Sequence, residues 1–202
     1  MPRRIEDERR RVELLRNGDE AEFISLVTEH HDAMVRLALT FVRSSAVAEE
    51  AVQETWLGVL RGIDRFEGRS SLRTWLLSIL VRRARTAGVR AARSVAVADI
   101  APIVDAARFD ASGHWITPPE QWVDDLEDRL GAQALRRVLA TALAAMPGRQ
   151  RAVVMLRDVD GLDAEEVCGV LELSASNERV LLHRGRARLR QALETSLEGV
   201  SA

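Results

Sequence analysis

Residues 163–190 read DAEEVCGVLELSASNERVLLHRGRARLR, and this stretch decides the fold. Asp163, with Glu166 three positions on, has the pattern of a capping box, aspartate taking the capping role, and opens a helix over about 163–172. A short turn at about 173–176 leads into a last long helix over about 176–196. On a helical wheel Leu182, Gly185, Leu189 and Leu193 share one face. Arg179, His183, Arg186 and Arg190 form a basic stripe beside it, with Asn177, Val180 and Arg184 further round. Two helices joined this way make a helix-turn-helix, whose second helix fits a DNA major groove while the first braces it across the backbone. The start of the second helix, from Ser176 to Arg184, is then placed to reach base edges, and the later arginines suit phosphates. An arginine-rich amphipathic helix can also present nothing more than a solvated face. Charge distribution favours the DNA reading: residues 158–178 hold seven acids and no base, and residues 179–190 hold five arginines and no acid.

Upstream, nearly everything reads as helix, because β-branched alternation is scarce and only five prolines occur. Apolar spacing predicts helices over about 19–29 and 32–42, a break with a cap at Ser44 and Ser45, and a helix over about 46–63. That helix carries Val52, Trp56, Val59 and Ile63 on one stripe, with Glu49, Glu50, Gln53 and Glu54 largely opposite. A loop, RFEGRSS (65–71), precedes a helix over about 71–91 whose inner face is Leu72, Trp75, Leu76, Ile79 and Leu80. Past Arg93 the period fails, and residues 94–119 read as an interdomain linker. Within it HWITPPEQW (114–122) sets Trp115 and Trp122 around two prolines, and exposing two tryptophans forgoes a large apolar burial. That segment is expected to dock on a helical domain or on a partner. Helical pattern returns over about 120–146 and 149–158. The fold class is therefore all-α: two small helical domains, 1–93 and 130–202, joined by a long linker over 94–129.

Composition narrows the function. The chain has 202 residues, 47% hydrophobic and 30% charged, and its longest apolar runs, such as LLSILV (76–81), fall far short of the ~20 residues a bilayer requires. The first residues mix acids with arginines and carry no apolar export core. One cysteine, Cys168, cannot form an internal disulfide, and it reads as a small residue of the bracing helix. A cytoplasmic setting is expected. Net charge is −2, but residues 20–60 carry seven acids and two arginines, whereas residues 61–93 carry nine arginines and two acids. Such blocks predict separate acidic and basic surfaces, the basic ones suited to phosphate. His30 and His31 are adjacent and so point to different sides of a helix, and neither a metal-ligand spacing nor a phosphate loop or nucleophile motif is present. No enzyme activity, cofactor or metal is expected.

The segment MPGRQRAVVMLRDVDGLDAEEVCGVLELS (146–174) with RVLLHRGRARLR (179–190) resembles the −35-reading domain of extracytoplasmic-function sigma factors of bacterial RNA polymerase. AVAEEAVQETWLGVL (46–60) resembles that family's polymerase-binding helix, and FEGRSSLRTWLLSILVRRAR (66–85) its −10-reading segment. The resemblance covers about 20–92 and 130–195 in the family's order. It implies a protein that binds core RNA polymerase, recognises promoter DNA and helps to melt it, and that an anti-sigma factor can hold inactive.

Carried over by position, Glu50, Gln53, Glu54 and Leu57 would face polymerase. Phe66, Arg69, Ser70, Ser71 and Thr74 would form the loop and helix start that capture an unstacked −10 base, while Arg82, Arg83, Arg85 and Arg90 line the strand path. Ser176, Asn177, Arg179, Val180, His183, Arg184, Arg186 and Arg190 would read the −35 element. Trp75 reads mainly as core. Two positions depart from the family: position 82, often asparagine, is Arg82, and position 178, often aliphatic, is Glu178. Arginine lacks an amide's paired donor and acceptor, so no base preference carries over. Two other readings fit parts of the pattern: a helix-turn-helix regulator with a sensing or dimerising first half, and a helical protein-interaction module without DNA binding. Neither requires the second basic surface at 66–93.

Overall fold

The structure is a computed structural model and describes residues 2–93 and 131–200. The expected linker, with its Trp115 and Trp122, lies outside the described residues. All regular structure among the described residues is helical.

α1 (Pro2–Arg16) was not legible as a distinct element, because the segment is mostly charged; Val12 and Leu15 are its buried apolar residues among those whose side chains are described. Arg11 ties it to the next helix through Glu22 at 2.6 Å and Glu29 at 2.7 Å. α2 (Glu20–Ala38) starts at Asp19, whose carboxylate accepts from the Glu22 N–H at 2.9 Å. The two helices expected over 19–29 and 32–42 are this one helix. Nothing between Glu29 and Asp32 removes a backbone donor or frees the chain, and the buried stripe runs on from Leu26 to Met34, Leu37 and Ala38.

α3 (Ser45–Gly62) buries Ala48, Ala51, Val52, Thr55, Trp56 and Val59. Ser44 holds the expected cap position in extended conformation, but its side chain makes no capping bond. A short 3-10 turn, Ile63–Arg65, leads into the loop and then α4 (Leu72–Arg93), which buries Leu72, Leu76, Leu77, Leu80, Val81 and Ala84. Ser71 caps α4 by accepting from the Thr74 N–H at 3.1 Å. α1 braces this loop from behind: Glu8 accepts from the Leu72 N–H, and Arg16 donates to the carbonyls of Ile63 and Phe66 at 3.3 and 2.5 Å.

In the second half, α5 (Ala132–Ala144) is followed by α6 (Gly148–Val154), which runs on through a π turn, Met155–Val159. α7 (Ala164–Leu171) carries the capping box read from sequence: Asp163 accepts from the Glu166 N–H at 2.8 Å and Glu166 from the Asp163 N–H at 3.1 Å. Glu172 takes a left-handed conformation (φ 55) at the turn, and α8 (Ala175–Val200) follows. α8 lies so close to α6 that a Cβ on Gly185 would stand 2.3 Å from Val154 Cγ2.

The two helical domains pack against each other. Buried side chains of both belong to one contiguous cluster, and α4 packs against α7.

Candidate nucleic-acid and polymerase interface

Three surfaces gather the sequence-selected residues. On α3, Glu50, Gln53, Glu54 and Leu57 are all exposed, opposite the buried stripe. Leu57 and Leu60, each about half exposed, add an apolar component, and Ile24 of α2 is similarly open. Glu54 pairs with Arg83 of α4 at 2.8 Å. That reach depends on Gly58, since a Cβ there would lie 2.8 Å from the Arg83 guanidinium. Arg83 therefore connects the first surface to the second.

The second surface is the 66–71 loop with α4. Phe66 is 7% exposed and its ring lies 5.1 Å from that of Trp75, so it forms the floor of the loop rather than its rim. Trp75 is itself half-buried against the core. Glu67, Gly68, Arg69 and Ser70 are exposed, with Arg69 paired to Glu67 at 2.8 Å. Ser71 is half-buried and Thr74 buried, their hydroxyls 2.7 Å apart. Along α4, Arg82 and Arg90 are exposed, and Arg83 and Arg85 half-buried. Arg82 pairs with Glu172 at 3.1 Å, while Arg85 donates to the Leu171 carbonyl at 2.8 Å and lies over the Phe41 ring. Burial, reinforced by the nearby charge of Arg149, lowers the Arg85 pKa from its ordinary value.

The third surface is the first half of α8. Ser176, Asn177, Arg179, Arg184 and Arg186 are exposed, and Val180, His183 and Arg190 half-buried. Ser174, missed in the sequence reading, accepts from the Asn177 N–H at 3.3 Å and so caps the helix that presents them. Leu182, Ala187 and Leu193 are buried on the other side. Glu178 also faces inward, 4% exposed and 3.3 Å from Arg157. Arg186 is held in a fork by Asp158 at 3.1 and 2.6 Å, and this bond raises its pKa. Asp158, Ser174 and Glu172 had no periodic signal of their own; only the tertiary fold assigns them.

Cys168 is half-buried, and burial together with Glu178 raises its thiol pKa, which lowers its reactivity. Among the described residues no cluster of His, Cys, Asp or Glu could hold a metal ion. No described helix is long and apolar enough to cross a membrane.

Two family descriptions match this framework in order: Sigma-70 region 2 over residues 26–94 and Sigma-70, region 4 over residues 136–189. The chain belongs to the extracytoplasmic-function sigma factors. The first match takes in α3 and α4, the second α6, α7 and the first half of α8. An ECF RNA polymerase sigma-E factor of Salmonella typhimurium is 27% identical over 175 residues, 87% of this chain and 88% of that protein. A probable RNA polymerase sigma factor of Haemophilus influenzae is 27% identical over 168 residues, 81% and 86% of the two chains. Among solved structures, CnrH in complex with the cytosolic domain of CnrY shares the fold with a TM-score of 0.60 and 21% identity, covering 93% of this chain and 97% of that one. The sigma factor RpoE of Bartonella quintana, in complex with the anti-sigma factor NepR, gives 0.59 and 21%, covering 86% and 97%. As a sigma factor, the chain binds core RNA polymerase and promoter DNA and directs initiation at promoters.

Proposed function

We propose that the sigma factor divides this work among the three surfaces. Glu50, Gln53, Glu54 and Leu57 dock on core polymerase. Arg69, Ser70, Ser71 and Thr74, over a floor made by Phe66, capture a −10 base, and Arg82, Arg83, Arg85 and Arg90 follow the strand. Ser176, Asn177, Arg179, Val180, His183 and Arg184 meet −35 base edges, with Arg186 and Arg190 on phosphates. Residues 1–93 and 130–202 act as the two functional domains and 94–129 as their connection. The chain supplies no catalytic group, nucleotide addition belonging to polymerase, and it works in the cytoplasm. An anti-sigma factor is a fitting partner, since both structural relatives were solved with a partner and RpoE's is an anti-sigma factor.

The observation that carries this reading is α8: its inner side packs through Gly185 and Leu182 while Asn177, Arg179 and Arg184 stand exposed at its start. That is the arrangement a groove-reading helix requires. Core polymerase with this chain should give run-off transcripts from its promoter that core alone does not. Gln53→Ala with Leu57→Ala should weaken co-purification with core while leaving helical content unchanged. Wild-type association in that double variant would remove the α3 face from the reading.

A further inference from the structure

The rim of the 66–71 loop has little of its own to hold it. Gly68 at the tip has φ 69 and open space around it, Arg69 pairs with neighbouring Glu67, and Ser70 donates to the adjacent Ser71 carbonyl at 3.4 Å. The loop is fixed instead at its two ends, and α1 holds both. At the upstream end the Arg16 guanidinium donates to two carbonyls of one turn, Ile63 at 3.3 Å and Phe66 at 2.5 Å. At the downstream end the Glu8 carboxylate accepts from the Leu72 N–H, which as the first of α4 has no partner within its own helix. Glu8 and Arg16 lie about 12 Å apart along the α1 axis. α1 is itself fastened elsewhere: Val12 and Leu15 are buried, and Arg11 pairs with Glu22 and Glu29 of α2. One anchored helix, lying ahead of the matched region that begins at residue 26, thus sets the separation of the loop's ends.

We propose that Glu8 and Arg16 are positioning residues for −10 base capture: without touching DNA, they hold the 66–71 loop in the shape that receives the extruded base. The proposal rests on the assignment of that loop to the −10 strand. Extruding a base costs stacking and pairing energy, which contacts in the receiving loop have to offset. A loop already in its bound shape gives those contacts at no further cost. A loop freed at one end has first to be ordered, and that entropy is subtracted from affinity. Removing either anchor leaves its surroundings bonded. The Ile63 carbonyl keeps the Phe66 N–H at 3.1 Å, and Ser71 still caps α4 through the Thr74 N–H. The effect is therefore confined to capture.

The test uses holoenzyme assembled from core polymerase and the full chain, with a promoter from which it initiates. Two labelled probes are titrated: a single strand spanning the −10 element and a duplex spanning the −35 element. Arg16→Ala and Glu8→Ala should each weaken single-strand binding about five-fold or more, with core association and −35 duplex binding within about two-fold of wild type. Glu8→Gln keeps a carbonyl oxygen for the Leu72 N–H and should bind the strand within about two-fold of wild type. In a loop variant, Arg69→Ala with Ser70→Ala, adding Arg16→Ala should cost nothing further, because an anchor has no effect on a loop that no longer captures. Ser71 and Thr74 are left intact there, since their hydroxyls also donate to Glu166 of α7 at 3.2 and 2.9 Å. Four results would each overturn the proposal: unchanged strand affinity in either alanine variant, equal losses on strand and −35 duplex, a loss in Glu8→Gln as large as in Glu8→Ala, or additive losses in the loop variant. The two readings fail differently. If the loop variant loses strand affinity and the α1 variants do not, only the positioning role falls. If the loop variant binds the strand as wild type does, the −10 assignment of the loop falls, and the proposal with it.

Discussion

Arg157 and Glu178 meet across the helix-turn-helix at 3.3 Å, the carboxylate 5% exposed, within ion-pair reach but without an aligned hydrogen bond. Arg157 also donates to the Leu162 carbonyl at 2.8 Å and keeps some contact with water. The pair is thus lopsided: Glu178 depends on Arg157 far more than the reverse. Desolvation offsets most of the attraction in such a pair, and removing the partner of the more buried charge is the costly change. Arg157→Leu should destabilise the chain by about 3 kcal/mol, whereas Glu178→Leu should leave stability within about 1 kcal/mol of wild type or raise it. Urea unfolding of the two variants checks the asymmetry, and equal losses would refute it.

Gly185 sets the approach of α8 to α6. The Val154 methyl that would meet a new Cβ at 2.3 Å belongs to a side chain 2% exposed, so it has to shift within the core. Gly185→Ala should therefore cost about 1–3 kcal/mol, despite alanine's better helix propensity. Combining it with Val154→Ala should cost less than the sum of the two single changes, because the second makes room for the first. Additive losses in thermal unfolding would show that the helices do not bear on each other at this point.

These two contacts also show where sequence reading ends. Gly185 stood on the inner face by wheel position alone, and the Asp163–Glu166 capping box was legible because its partners lie three residues apart. Glu166's second role was not, since Thr74 lies 92 positions away and no period encodes such a pairing. The join of the expected helices at His30 and His31 was missed for a different reason. Two polar residues interrupt the apolar count there, but they break no hydrogen bond of the helix. Phe66 was selected as a loop residue from the order of motifs; that it lies under the loop depends on Trp75, on the other side of the turn.

His30 gives the chain a pH dependence of known sign. Burial lowers its pKa below the ordinary 6.5, outweighing the pull of Glu29, with Arg11 and Arg73 acting in the same sense as burial. The folded state thus binds this proton less readily than the unfolded chain. The stability it contributes is fully present above pH 6.5 and is lost as pH falls toward the folded value. Glu29, whose pKa its hydrogen bond to Arg11 lowers below 4.5, adds a separate loss of the same sign further down. Lowering pH from about 7 to about 5 should reduce the melting temperature, and His30→Gln should flatten that slope. An unchanged slope in the variant would show that His30 does not carry it.

The arginines of α8 should separate into three kinds by what holds each of them. Arg179 and Arg184 are exposed at the helix start, where a groove-reading helix meets base edges. Alanine at either should cost about 1–3 kcal/mol on the cognate −35 duplex and much less on random DNA, because a bidentate base contact is lost. Arg190, two turns later, should behave as a phosphate ligand: Arg190→Ala weakens both duplexes equally and reduces the slope of log affinity against log salt by about 1. Arg186 is the informative third case. Its guanidinium is forked onto Asp158, so DNA must compete with a carboxylate already in place, and Arg186→Ala should cost less than Arg184→Ala. Asp158→Asn removes that competitor's charge and frees Arg186 for a phosphate, which should tighten cognate and random duplex alike and steepen the salt slope by about 1. Anisotropy titrations of both duplexes over a range of salt resolve the three kinds. If all the alanine variants lose affinity equally on both duplexes, the start of α8 reads no bases. If Asp158→Asn leaves both affinity and slope unchanged, Arg186 lies outside the DNA contact.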